Sequence, residues 1–214
     1  MSSRDTFMIT RQIREALVVV LLMRTFVSAC LGEGAESPIK LDGDFSDWAD
    51  VPMLATDAVE GDRLCDWREF YATHDKAYWY VRYVCAEEID FKFRAAYNIL
   101  IDADRNGRTG YRGEMGRFPL GAEHLIQGGV HFVYDGQGTN WVWRERGYID
   151  FAADDNQVEM AIPRNGIGSP YRVFFVLYGD NQQVDRGEND FVPNSTIDSY
   201  SPGATLRYSF RKPE

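Results

Sequence analysis

Apolar residues along this chain fall in short runs, broken by turn-forming residues about every ten to fifteen positions. The run "QVEMAIP" (Gln157 to Pro163) alternates apolar and polar positions, the pattern of a strand with one buried face. "AAYNILIDA" (Ala95 to Ala103) and "RVFFVLYGD" (Arg172 to Asp180) are nearly unbroken, as expected of strands covered on both faces. "GVHFVYD" and "WVWRER" flank the turn "DGQGTN", two further runs flank His74-Asp75-Lys76, and "ATLRYSF" comes near the C-terminus. No long segment has helical periodicity, and the one helical piece expected is a short turn near Arg164 to Gly168. Strand following strand in this way predicts an all-β fold, an antiparallel β-sandwich with jelly-roll or immunoglobulin-like layers. No internal repeat or later linker interrupts the series, so residues 38–214 read as one domain.

Composition narrows the partners. A chain of 214 residues has room for one ordinary domain with a real core, and 14% of it is aromatic. Its net charge of −10 argues against nucleic acid, which needs a basic face, and against an electrostatic hold on anionic lipid. Neutral ligands and divalent cations suit it better, and it is expected to be a monomer.

The N-terminus reads as a targeting segment. Arg4, Arg11 and Arg14 precede the apolar run Ala16 to Met23, and "FVSA" stands directly before Cys30. This resembles a bacterial lipobox: residues 1–29 would be a signal peptide, Cys30 the lipidated residue and 30–37 a flexible tether. The expected location is the cell envelope, anchored to the outer membrane or cell surface through lipid, or the secreted fraction. Residues 16 to 29 are fewer than the ~20 of a spanning helix, and Arg24 sits among them.

With Cys30 set aside, Cys65 and Cys85 remain. A three-residue turn at His74-Asp75-Lys76 would pair Thr73 with Ala77 and place the two cysteines opposite one another, close enough for a disulfide. Two buried thiols are the alternative. The same register puts Glu69 on the face of Trp67, Trp79 and Val81, so either the register shifts or Glu69 has a partner.

Asp102, Asp104 and Asn106 stand at alternate positions ahead of Gly107, as in the first half of an EF-hand. Position 12 of such a loop is Gly113 and the preceding segment is a strand, so this is not an EF-hand. Three converging oxygen groups on a flexible loop suit calcium, with Glu123 or Glu114 supplying a further carboxylate. The alternative is an Asx-rich turn without metal.

"PIKLDGDFSDWADVP" has the form I-x-L-D-G-x-F-x-D-W, and "YNILIDADRNGRTGYRGE", "GAEHLIQGG" and "VEMAIPRNGIG" follow it in order. Together these resemble landmarks of carbohydrate-binding module family 9 domains and their DOMON-like relatives, from Ile39 to about Asp190. The resemblance implies a β-sandwich, bound calcium that is mainly structural and, in the sugar-binding members, a site built from tryptophans, with Trp48 packed in the core. Sugar rings stack on aromatic faces while flanking polar groups bond their hydroxyls. Trp141 and Trp143, two apart on a strand, would share a face, and pairing of Tyr134 with Trp141 and of Phe132 with Trp143 would make an aromatic ladder. That ladder is either a carbohydrate-binding surface or sandwich core, and Trp67 carries the same ambiguity.

Catalysis has little support, because no nucleophile elbow or singled-out carboxylate pair is present; a hidden glycosidase-like pair is the one enzymatic alternative. The leading reading is a lipid-anchored, calcium-stabilised, non-catalytic carbohydrate-binding protein. Haem binding, by analogy with DOMON-like redox domains, would need His131 or His124 with Met115 or Met160 in one pocket. A scaffold lipoprotein without sugar binding is the third class.

Overall fold

In the computed structural model the strands sort into two antiparallel sheets, packed as a sandwich. The structure describes residues 39–59, 64–113, 116, 118–165, 167, 172–180, 190–192 and 206–209. The expected signal peptide and tether, with Cys30, therefore lie outside the described residues, as do Glu114 and Met115. No helix among the described residues is long and apolar enough to cross a membrane.

One sheet has the order β1 (Met53–Thr56), β2 (Trp67–His74), β3 (Tyr78–Cys85), β9 (Gln157–Pro163), β8 (Asp150–Asp154). The other has the order β11 (Asp190–Val192), β10 (Arg172–Gly179), β4 (Tyr97–Asp102), β5 (His124–Gln127), β6 (Val130–Tyr134), β7 (Trp143–Tyr148), with β12 (Leu206–Ser209) also paired to β10. The all-β sandwich expected from the apolar pattern is the fold observed. Two helical turns stand where the sequence did not single them out. Short 3₁₀ turns occupy Phe45–Trp48 and Phe91–Ala96, each started by an aspartate (Asp44, Asp90) whose side chain accepts a backbone N–H two residues on. At the place expected for a short turn, Ile167 N–H bonds Arg164 C=O (3.1 Å).

Alternation along the strands divides the apolar residues into three layers. Between the sheets lie Trp67, Phe70, Trp79 and Val81 from one side and Ile99, Ile101, Phe175 and Leu177 from the other. Leu100, Leu125 and Val176 point to the opposite face of the larger sheet, where the connection between β4 and β5 covers them with Tyr111, Phe118 and Leu120. That second cover explains why every residue of β4 is buried.

The outer face of the smaller sheet, at Tyr80 and Ala161, is covered by residues 39–51 through Ile39 and Trp48. Trp48 is thus a buried anchor, but outside the sheets and not between them. What holds this cover is Glu159 of β9, fully buried (0% exposed). Its Oε1 accepts the backbone N–H of Asp42 and Gly43, both at 3.0 Å, and its Oε2 accepts Trp48 Nε1–H at 2.8 Å. The D-G-x-F-x-D-W motif is therefore the donor half of a contact whose acceptor lies more than a hundred residues away.

The β2–β3 hairpin departs from the expected register. Thr73 pairs with Tyr80 and His74 with Trp79, not Thr73 with Ala77. Asp75 is the cause: its Oδ1 accepts the N–H groups of Ala77 and Tyr78 and its Oδ2 the Tyr80 hydroxyl, building a longer turn. Further along, the register slips between Trp67 and Glu69, so Trp67 and Phe70 both face the core while Glu69 faces outward and accepts the Tyr71 hydroxyl (2.6 Å). Cys85 then opposes Trp67, and Cys65 lies before the strand. Both cysteines stand as buried thiols instead of the expected disulfide. Burial first, and then neighbouring charges, push both thiols well above their ordinary pKa.

Candidate metal loop and aromatic face

Strand β4 ends at Asp102, which is 1% exposed, and the chain turns at once into the loop. Asp102 Oδ1 accepts the N–H of Arg105, and Asp104 Oδ1 that of Asn106 (2.8 Å), so side chains shape the turn. The left-handed residue is Arg105 (φ 60°) and not Gly107, because the N–H groups drawn onto Asp102 bend the chain there. The needed glycine is Gly121 on the returning segment, where a Cβ would lie 1.9 Å from Thr109 C=O. This close approach lets Glu123 reach back: its Oε2 accepts Ala103 N–H (2.9 Å), and Thr109 Oγ1 lies 3.2 Å from Glu123 Oε1 and 2.9 Å from Asp104 Oδ2.

Asp102, Asp104 and Glu123 each bring a carboxylate oxygen within 4.8 Å of the others. Oxygens around one calcium at 2.3–2.6 Å lie no more than about 5 Å apart, so the set fits a single ion of that kind. Asn106 serves the turn: its Oδ1 accepts Arg108 N–H (3.2 Å). Burial, opposed by backbone N–H groups and helped by the charge of Asp104, raises the Asp102 carboxyl above its ordinary range. Burial pushes Glu123 up to about 7, the Ala103 N–H resisting and the charges of Asp104 and Asp102 adding to the rise. A hard cation would relieve both strains, and the donors are all oxygen.

The loop leads directly into Tyr111, which pairs with Ala122 and packs on the outer aromatic face. Tyr134 pairs with Trp143, so Trp141 precedes β7 and the predicted ladder is displaced by two residues. Asp135 N–H bonds Val142 C=O, and "DGQGTN" forms a longer loop than the sequence suggested. Trp143 is half-buried against Tyr134 (ring centroids 5.1 Å) and Tyr111 (5.7 Å). Trp141 stands at the rim, 43% exposed, edge-on to Tyr111 (5.0 Å) and Trp143 (5.4 Å). This face is neither the core between the sheets nor open surface. Trp67, by contrast, is 0% exposed between the sheets, edge-on to Tyr83 and Tyr97, and can offer no face to a ligand.

His124 and His131 turn to one another, Nδ1 to Nε2 at 3.1 Å, on the buried face of β5 and β6. Burial lowers them to about 3 and about 4, with the charge of His131 on His124, and of Arg146 on both, adding to the fall. Met160 lies in the core on β9 of the opposite sheet, and Met115 is outside the described residues.

No family model matches the chain, and no curated protein matches it in sequence. The sequence pattern points to Asp102, Asp104, Asn106 and Glu123, of which the three carboxylates converge; it misses Thr109, Gly121, Arg112 and Glu159. For Gly121 the signal was its place two residues before Glu123; for Glu159 it was a lone carboxylate in an otherwise apolar run.

Proposed function

We propose that this chain is a non-catalytic carbohydrate-binding protein, exported and held at the cell envelope through lipid on Cys30, with a calcium ion in the loop at Asp102. The observation that carries the reading is the outer aromatic face: Trp141 is exposed at its rim and backed edge-on by Tyr111 and Trp143. An exposed indole backed by aromatic rings is a rigid platform for the C–H face of a sugar ring, bound with little loss of side-chain entropy. Calcium belongs to the same reading because the loop bearing Asp102 and Asp104 runs straight into Tyr111, so an ordered loop holds the platform. Asp102, Asp104 and Glu123 would hold the ion, which supplies charge balance and no chemistry.

A glycan array run with calcium and with chelator tests this. Binding to a defined set of glycans, lost in Trp141→Ala, is expected; an array without any signal in either condition sinks the sugar reading. Anchoring is tested separately by Cys30→Ser, which is expected to move the protein out of the membrane fraction and to abolish fatty-acid labelling.

A further inference from the structure

Beneath the rim of the aromatic face three side chains carry buried polar atoms that meet no hydrogen-bond partner: Arg112 Nε, Tyr134 Oη and Trp143 Nε1. Nearly all buried polar atoms in folded proteins are bonded, so three orphans in one cluster mark a place where a partner is missing. They are neighbours. The rings of Tyr134 and Trp143 are 5.1 Å apart, and the Arg112 guanidinium is close enough for its charge to oppose the rise that burial causes in the Tyr134 hydroxyl.

Their chemistry is one-sided. Arg112 Nε–H and Trp143 Nε1–H can only donate, and the Tyr134 hydroxyl can donate as well. A neutral sugar hydroxyl would satisfy one donor while bringing a donor of its own. A carboxylate only accepts, has four lone-pair sites, and matches the planar edge of a guanidinium.

The cover over these donors is thin. The β6–β7 loop passes across them as bare backbone at two glycines: a Cβ on Gly136 would lie 2.8 Å from the Tyr134 hydroxyl, and one on Gly138 2.5 Å from Arg112 Nη2. Arg112 N–H bonds Gly138 C=O (2.9 Å), so loop and arginine are registered to each other. The same loop ends at Trp141, the exposed indole at the rim.

We propose that Arg112, Tyr134 and Trp143 form the subsite for the carboxylate of a uronic acid, reached by displacement of the Gly136–Gly138 backbone while the sugar ring stacks on Trp141. This rests on the carbohydrate-binding reading and narrows it to acidic glycans.

The test is calorimetric titration of the full chain in calcium with short oligomers of galacturonate, mannuronate, guluronate and glucuronate-substituted xylose. Each is set against its methyl ester, which keeps the ring and removes the charge; sulfated neutral oligomers form a further arm. At least one free acid is expected to bind at least about tenfold more tightly than its ester, since the ester leaves charged and polar donors unsatisfied. Arg112→Lys is expected to remove that preference while ester binding persists, and Trp141→Ala, a rim substitution, to weaken acid and ester alike. Equal affinity for acid and ester, or binding only of neutral or sulfated oligomers, overturns the carboxylate subsite and leaves sugar binding standing. No binding of any of these oligomers by a folded protein overturns the subsite, and the glycan array then decides whether sugar binding stands.

Discussion

Each sheet buries its outer face under a segment of irregular chain, and the two covers are held in opposite ways. Over the smaller sheet, residues 39–51 bring three N–H donors to one carboxylate, Glu159, and the contact is complete within the protein. Over the larger sheet, the loop after Asp102 brings three carboxylates to one another, and burial raises both Asp102 and Glu123. A buried charge is tolerated when donors surround it and is costly when like charges do. The first cover is complete within the protein; the second, on the proposed reading, is completed by a cation. An acidic residue in a covering segment stabilises or strains the fold according to the donors that surround it.

The largest effect is expected from breaking the first cover. Glu159→Ala leaves the Trp48 indole N–H and two backbone N–H groups without their acceptor, a loss of about 4 kcal/mol when charge-assisted bonds are removed together. Urea unfolding should show that loss equally in calcium and in chelator, because the anchor is independent of the loop. A loss below about 1 kcal/mol would mean that water replaces the carboxylate at no cost.

Next in size is the second cover. Calcium at a hundredfold excess over Kd should add about 2.7 kcal/mol, raising the melting temperature by several degrees. Asp104→Ala should erase the gain and Glu159→Ala should leave it. An unchanged melting temperature, with no heat of binding on titration, would reduce the loop to an acidic turn.

A third effect, spread over several pH units, is expected from acid. His124 and His131 are held below their ordinary value of 6.5, at about 3 and about 4, so between roughly pH 4 and 6.5 the unfolded chain binds more protons than the folded one. Their contribution is fully present above pH 6.5 and is lost as pH falls through that window, by at most about 1.4 kcal/mol per histidine for each pH unit. The experiment belongs in excess calcium, because Asp102 and Glu123, with raised values, act in the opposite sense when no cation holds them ionised. Imidazole NMR signals that still report neutral rings at pH 5.5 are expected. Protonated rings at that pH would show that the pair is open to water.

The smallest stability change is expected at Trp141. Its indole is half in solvent, so Trp141→Ala should cost less than about 1 kcal/mol while removing sugar binding. A large stability loss would make Trp141 part of the cover instead of the platform.

The sequence by itself determined the all-β class and most of the longer strands, because alternation and unbroken apolar runs report local burial; the short strands β1, β5, β8 and β11 carry too few residues to show a pattern. It also determined the acidic loop, since Asp102, Asp104 and their turn are neighbours in the chain. Tertiary structure decided which residues face one another. Asp75 lengthened the β2–β3 turn, and a bulge beside Trp67 turned Glu69 outward, two short-range events that moved every partner along the hairpin. Trp67 and Trp141 look alike in the sequence, yet one lies between the sheets and the other on a rim, because only the covers over each face fix what is buried. Glu159 reads as the polar position of an alternating strand. It becomes a buried anchor because a distant segment, with three donors to place, folds across it.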